Sequence, residues 1–431
     1  MTDVVNILQK LIRFNTSNPP GNELECMHYI QGLLEEAGVK SRLLFKDKNR
    51  PNLYARIRGR GESAPLMLYG HLDVVGAHGL EWKSPPFEGR LSDGCVWGRG
   101  ALDMKGAIAI MISAVLQCLK EKVSFPGDVI LCFLSDEEAE GEYGAKYVTE
   151  QHPELFDGIQ YAIGEFGGFP LYIGKKKIYL IQVAEKKICR LQLDFRGDEG
   201  HGSIVIPNNA LQKAADFINR LNKKGLPLHI SPVTRNMLKE IAESLSFPGN
   251  LIFYLLQNRF LTKHILKRLK KLNYIFYPLL HNIANPSIIS GGDKINVIPG
   301  LVKIKMDGRV LPEIRNDDFM KEVRQLAGKE VELKVLQNEE RKYPVNYNLF
   351  DRLKSILLEM DPGASVVPFM LPGSTDGRFF SNLNIQTYGF IPVNMPKDLN
   401  FMKMIHGKDE RIPVTCLHYG TKAIYRLLKQ F

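Results

Sequence analysis

Five short motifs set imidazole and carboxylate side chains where metal-assisted chemistry could use them. The apolar run 66–69 leads into Gly70-His71-Leu72-Asp73, a ring with a carboxylate two residues on that could orient it through its second nitrogen. Asp103 stands in Gly98-Arg99-Gly100-Ala101-Leu102-Asp103-Met104-Lys105-Gly106, a glycine-rich turn before a helix, where a capping aspartate would be equally natural. The apolar run 129–134 delivers Ser135-Asp136-Glu137-Glu138, three consecutive carboxylates that raise one another's pKa unless a cation neutralises them. Gly164-Glu165-Phe166-Gly167-Gly168 ends the next strand pattern, and His406-Gly407-Lys408-Asp409-Glu410 offers a second imidazole. Each alone has an ordinary reading, as a structural histidine or a solvated acidic loop. Two histidines and three or more carboxylates at one sheet edge are the ligand mix of a site for two zinc ions, with one carboxylate left as a base.

The elements that must position these residues alternate. Helical periodicity covers 1–14 and 23–37, around a polar loop at 15–21; strand patterns follow at 52–57 and 66–69. A helix at 105–120, a strand at 129–134, a helix at 143–151 and a strand at 161–163 complete an α/β pattern with helices on both faces of a sheet. Most of the motifs fall at strand ends, where open α/β sheets bind ligands. From residue 187 the texture changes to a strand at 188–195, a helix at 208–221, strands at 296–304 and 332–336 and a helix after Asp317. This order predicts a small α+β domain at 187–336 inserted into a catalytic domain of 1–186 and 337–431. Within it, 226–290 reads as a helical insertion whose Leu261, Ile265, Leu269 and Leu272 share one face, among Lys263, Lys267, Arg268, Lys270 and Lys271. Covering a core or a partner explains such a stripe; a membrane surface or an acyl-chain groove are the alternatives. The last helix is expected at 415–428.

The 431 residues, 44% of them hydrophobic, suffice for two domains. The net charge of +10 is spread along the chain, with short runs at 175–177 and 267–271, and no basic element with interleaved aromatics suggests nucleic acid. Cys26, Cys95, Cys118, Cys132, Cys189 and Cys416 lack CxxC spacing and read as reduced, buried thiols. No secretory signal and no span of about 20 apolar residues is recognisable, which points to a soluble, cytoplasmic protein.

The succession GHLD, GRGALDMKG, SDEE, GEFGG, HGS, NVIPG, GSTDGR and HGKDE resembles the M20 family of metallopeptidases across nearly the whole chain. The resemblance implies a zinc-peptidase-like catalytic domain with a mostly parallel sheet, an inserted lid and dimerisation domain, and two Zn2+ per chain, replaceable by Co2+ or Mn2+. It implies that His71, Asp103 and Glu165 serve one or both zincs, that Asp103 bridges, and that Glu138 and His406 complete the ligand set of the second zinc. Glu137 would be the general base and Asp73 the orienter of His71. On the lid, His201 of Gly200-His201-Gly202-Ser203 would stabilise the oxyanion, from a dimer partner in related enzymes, and Asn296 and Arg309 would contact substrate. Gly373, Ser374 and Thr375 would form a substrate-facing loop of the catalytic domain. Acetylornithine deacetylases and succinyl-diaminopimelate desuccinylases are similar too. The long insertion, Ala184-Glu185-Lys186 and Phe379-Phe380 look closest to the branch of carboxypeptidase S and N-acyl-amino-acid hydrolases, and Glu165 stands where many members have Asp. The implied substrate is a small peptide or N-acyl amino acid with a free carboxylate. An aminopeptidase or deacetylase, and a noncatalytic binding relative, are the alternatives.

Overall fold

The computed structural model describes residues 3–79, 81–268 and 270–431, with residues 270–274 described by their backbone alone. The chain separates into two compact units, one of residues 1–183, 345–369 and 375–431, the other of 184–344 and 370–374.

The first unit is built on a nine-stranded sheet. Its strands are β1 Ser41–Phe45, β2 Pro51–Ile57, β3 Leu66–His71, β4 Val129–Leu134, β5 Tyr161–Gly164, β6 Pro170–Ile173, β7 Lys176–Glu185, β8 Ser365–Leu371 and β9 Gln386–Gly389. Across the sheet they run β1-β2-β4-β3-β5-β9-β7-β8, with β6 paired to β7. The central four, β4, β3, β5 and β9, are parallel, while β1, β2 and β7 join antiparallel to their neighbours. Parallel strands covered on both faces read as continuous apolar runs, and β3 and β4 are buried along their whole length. Successive residues of β3 serve opposite faces: Met67 and Tyr69 pack with Val148 and Phe380, whereas a Cβ on Gly70 would meet Ile108. Helix Lys105–Lys120 is apolar nearly all round because helices Val4–Arg13 and Val414–Gln430 both pack on it.

In register, His71 pairs with Leu134 and Leu68 with Ile163, so the residues after β3, β4 and β5 emerge at one edge. A small sheet of Arg90–Ser92, Cys95–Trp97 and Arg411–Pro413 ties the turn before helix Lys105–Lys120 to the segment after His406. The hairpin β6–β7 has no counterpart in the predicted elements: Gly174, at φ 62°, makes its turn, and Lys176 and Lys177 of the basic run begin β7.

The second unit holds a four-stranded antiparallel sheet in the order Ile283–Ser290, Leu301–Val310, Lys187–Arg196, Glu332–Asn338. Helices Ala210–Lys224 and Asn316–Ala327 cover it through Phe217 and Phe319. Asn209 caps the first of these by accepting from the Gln212 amide, and Gly225, at φ 65°, ends it.

The helical insertion is shorter than the 226–290 expected. Helices Pro232–Ser244, Gly249–Leu255, Arg259–Arg268 and Lys270–Leu280 are followed by the strand Ile283–Ser290, where Pro286 disfavours a helix and three isoleucines favour pairing. The buried face of Arg259–Arg268 is also offset by one position: Thr262 and Leu266 are buried, Ile265 is half-buried and Leu261 is exposed. Thr262 can be buried because its hydroxyl donates to the carbonyls of Leu256 (2.8 Å) and Asn258 (2.7 Å). Leu269 and the side chains of Leu272, Lys270 and Lys271 lie outside the described residues.

Gly308, next to Arg309 on strand Leu301–Val310, has no room for a side chain: a Cβ would stand 2.0 Å from the Cys189 carbonyl oxygen and 2.8 Å from the Phe319 ring. Gly308→Ala is expected to cost about 1–3 kcal/mol, read as a lower urea midpoint. An unchanged midpoint would show that the paired strands yield without strain.

Candidate metal centre

The strand ends bring the predicted residues together. His71 Nε2 lies 3.2 Å from Asp103 Oδ1 and 3.5 Å from Glu165 Oε2. His406 Nε2 lies 3.1 Å from Asp103 Oδ2 and 3.2 Å from Glu138 Oε2. The two oxygens of Asp103 therefore face two different imidazoles, each with a further carboxylate. Ligand atoms of His71, Asp103 and Glu138 all fall within 4.8 Å of one another, as do those of His71, Glu137 and Glu165. Glu138 Oε1 and Glu165 Oε1 are buried and accept no hydrogen bond among the described residues. Unsatisfied buried carboxylate oxygens beside imidazole nitrogens fit divalent cations, whose ligand sets are of this kind.

Other side chains hold this array in place. Asp73 reaches His71 differently from the expected way: its backbone carbonyl bonds Nδ1 at 2.9 Å, while its Oδ1 stands off at 3.6 Å. A carbonyl partner fixes a ring as well as a carboxylate does. The Asp73 carboxylate instead accepts the amides of Glu137 (3.0 Å) and Glu138 (3.1 Å) and the side-chain amide of Asn18 (2.8 Å). Asn18 also donates to Asp136, which Arg50 pairs at 2.8 Å while its other nitrogens hold Glu23. Asp136 has φ 72°, a left-handed conformation that aspartate tolerates better than most residues and that turns the chain into the Glu137-Glu138 step. Buried Glu410 accepts from Arg99 (2.6 Å) and from the amides of Gly100, Leu102 and Asp103, and so sets the turn that presents Asp103.

The model of the peptidase family M20/M25/M40 matches residues 67–430. The chain belongs to that family. It is 29% identical over 381 residues to the human N-fatty-acyl-amino acid synthase/hydrolase, covering 85% of this chain and 74% of that protein. A probable carboxypeptidase S-like protein of Dictyostelium discoideum is 26% identical over 387 residues, covering 86% and 73%. The structure of an M20 family metallo-carboxypeptidase from Sulfolobus solfataricus superposes with a TM-score of 0.70 at 18% identity, over 100% of this chain and 99% of that one. This M20 chain is accordingly a metallo-hydrolase acting on amide bonds.

The second unit carries the other predicted residues except Thr375. Arg309 donates to Ser374 Oγ at 3.0 Å and to Asp307 at 2.9 Å. Leu371 accepts from the Lys186 amide, which helps group Gly373 and Ser374 with this unit, whereas the sequence places them on the catalytic domain; Thr375 belongs to the first unit. His201 is exposed on a short strand paired to Val297–Ile298, and the Asn296 carbonyl accepts from Gly202. The His201 Nδ1 accepts from the Ser203 amide at 3.2 Å and lies 2.8 Å from its hydroxyl, which leaves Nε2 as the protonated, donating nitrogen.

One acid escaped the sequence reading. Asp376 is buried, neither of its oxygens has a hydrogen bond among the described residues, and burial, with Glu165 nearby and against the pull of Arg378, raises it to about 8. Its only signal is its place in Gly373-Ser374-Thr375-Asp376-Gly377-Arg378.

Burial and charge crowding shift several groups of the centre. Burial, followed by repulsion from Glu165, pushes Glu137 well above the usual carboxylate range. Burial opposes a charge on His71, but Asp103, Asp73 and Glu165 outweigh it and raise the ring well above its ordinary value. His406 is raised to about 10 by its bonds to Asp103 and Glu138. Both rings thus hold protons at neutral pH that a cation must displace, so metal affinity rises with pH and falls as protons compete. Zinc uptake at pH 7 is expected to release about two protons or more, measured by calorimetry in buffers of different ionisation enthalpy. Buffer-independent heats would contradict the shifts.

Proposed function

We propose that the chain hydrolyses the amide of an N-acyl amino acid or short peptide with a free carboxylate, and that it holds two zinc ions. The observation that carries this reading is the division of Asp103, one oxygen toward His71 with Glu165 near it and one toward His406 with Glu138 near it. In this reading His71, Asp103 and Glu165 hold one ion, and Asp103, Glu138 and His406 the other. The bound pair supplies Lewis acidity that polarises the scissile carbonyl and acidifies water.

Glu137 shares the ligand-atom cluster of His71 and Glu165, so geometry permits it either role. We assign it the base, because it would be left over once each ion had three protein ligands. Its carboxylate takes a proton from the attacking water and returns it to the leaving amine nitrogen. His201, with Nε2–H free to donate, serves the oxyanion, a contribution of the size lost with one such donor, about 100- to 1000-fold in rate. Arg309, backed by Asp307 and Ser374, takes the substrate carboxylate through its planar guanidinium, with Asn296, Gly373 and Thr375 as further substrate contacts.

The name of the human relative supports a long acyl group on the substrate. All six cysteines are buried and free, in keeping with a reducing, cytoplasmic setting. A homodimer is proposed through the second unit, whose sheet ends in the edge strand Ile283–Ser290 with Ile288 and Ile289 exposed.

Mass spectrometry of the purified protein is expected to find two zincs per chain, and chelation to abolish release of a free amino acid from N-acyl amino acids. Glu137→Gln should keep the metal and lower kcat by about 100- to 10,000-fold; loss of metal with little change in kcat per loaded site would make Glu137 a ligand instead. Arg309→Ala should raise KM about 10- to 100-fold for free-carboxylate substrates and leave their amidated counterparts unaffected. Equal cleavage of both kinds by the unmodified enzyme would remove the carboxylate requirement.

A further inference from the structure

From Ser244 to Gly292 the chain contains no aspartate or glutamate, yet it carries six cations: Arg259, Lys263, Lys267, Arg268, Lys270 and Lys271. At the chain's average of 47 acids in 431 residues, about five would stand in a stretch of this length. The same stretch exposes large apolar side chains, Phe247 at 78% and Phe260 at 85%, with Leu251, Tyr254, Leu261 and Ile275 also exposed.

Helix Arg259–Arg268 shows how these features combine. Thr262 and Leu266 are its buried side chains. At about 100° per residue, Phe260, Leu261, His264, Lys267 and Arg268 fall on the opposite half. That outward half is therefore apolar at its first turn and cationic at its last, and Arg259, Lys263, Lys267 and Arg268 are exposed. The helix before it repeats the theme, burying Phe253 and exposing Leu251 and Tyr254.

We infer that residues 247–268 form a docking surface for an anionic lipid bilayer. Aromatic and leucine side chains enter the boundary between headgroups and acyl chains, and the surrounding cations meet lipid phosphates. Charge complementarity decides the partner. A second copy on this face would set cations against cations, and a nucleic acid would find the cations but gain nothing from Leu251 and Leu261. No helix among the described residues is long and apolar enough to cross a membrane, and the proposed contact is made by surface side chains of residues 247–268. The inference does not depend on which amide the metal centre cleaves.

The full-length protein is floated with vesicles of phosphatidylcholine alone or with about 30% phosphatidylglycerol, at about 50 and about 500 mM salt. Binding is expected with the anionic vesicles only, and less at high salt. Phe260→Ser with Leu261→Ser, and separately Lys263→Glu with Lys267→Glu, should each lower partitioning about tenfold or more. All four side chains are exposed, so circular dichroism and the melting temperature should stay at the parent values. Equal binding to neutral and anionic vesicles, or partitioning indifferent to both double variants, overturns the inference. So does an absence of vesicle binding alongside salt-sensitive retention of single-stranded DNA, or alongside self-association that the Phe260 and Leu261 changes abolish.

Discussion

Like charges placed a few ångströms apart in a partly buried site repel by about 4 kcal/mol a pair at an effective dielectric constant of 20. The strand ends and loops of the first unit put Asp103, Glu137, Glu138 and Glu165 into one such space, with Asp73 and Asp376 beside them. Two imidazoles do not neutralise that many acids. Burial and this repulsion push Glu137 well above the usual carboxylate range and raise Asp376 to about 8. The same crowding is what makes a divalent cation welcome, and the surrounding architecture follows from the need to keep these groups from moving apart.

The buried acids fall into two classes by how their oxygens are used. Asp73, Asp136 and Glu410 are surrounded by donors: Asp73 accepts two backbone amides and Asn18, Asp136 accepts Asn18, Arg50 and the Tyr143 amide, and Glu410 accepts Arg99 and three amides. Glu138 and Glu165 each keep a buried oxygen without a donor, and Asp376 keeps two. A carboxylate that has its donors is a positioning device; one left short of them is available to something the chain does not provide. Buried ion pairs such as Arg50 with Glu23 and Arg99 with Glu410 add little net stability against apolar replacements of the same shape. Their value here is orientation: Arg50 also pairs with Asp136, the residue before Glu137, and Glu410 also accepts the Asp103 amide.

The strand-end residues were legible because a parallel sheet converts local sequence into position: an apolar run, then a polar residue, specifies the edge at which that residue emerges. His71, Glu137, Glu138 and Glu165 are all of this kind. The supports were not legible, since Asn18 meets Asp136 across 118 positions and Arg99 meets Glu410 across 311. Nothing in the local pattern around Asn18 or Arg50 announces a partner so distant. The His71 contact was legible as to residue but not as to atom, because a carbonyl and a carboxylate of the same Asp73 are indistinguishable by spacing. Asp376 stayed hidden because a turn containing Gly373 and Gly377 reads as solvent-exposed, whereas the fold buries it.

The inserted segment shows a different limit. Hydrophobic periodicity establishes that helix Arg259–Arg268 has two faces but not which of two adjoining stripes turns inward. One threonine with its hydroxyl bonded to two carbonyls was enough to bury Thr262 and turn Leu261 out. A reading that sends every leucine to the core would place Leu261 inside and see only a packed helix. Composition is free of that ambiguity: the absence of acids from residues 244–292 holds whichever stripe is buried. Within this unit the charge pattern is therefore the firmer guide to what the surface meets, and the apolar pattern to what holds the surface up.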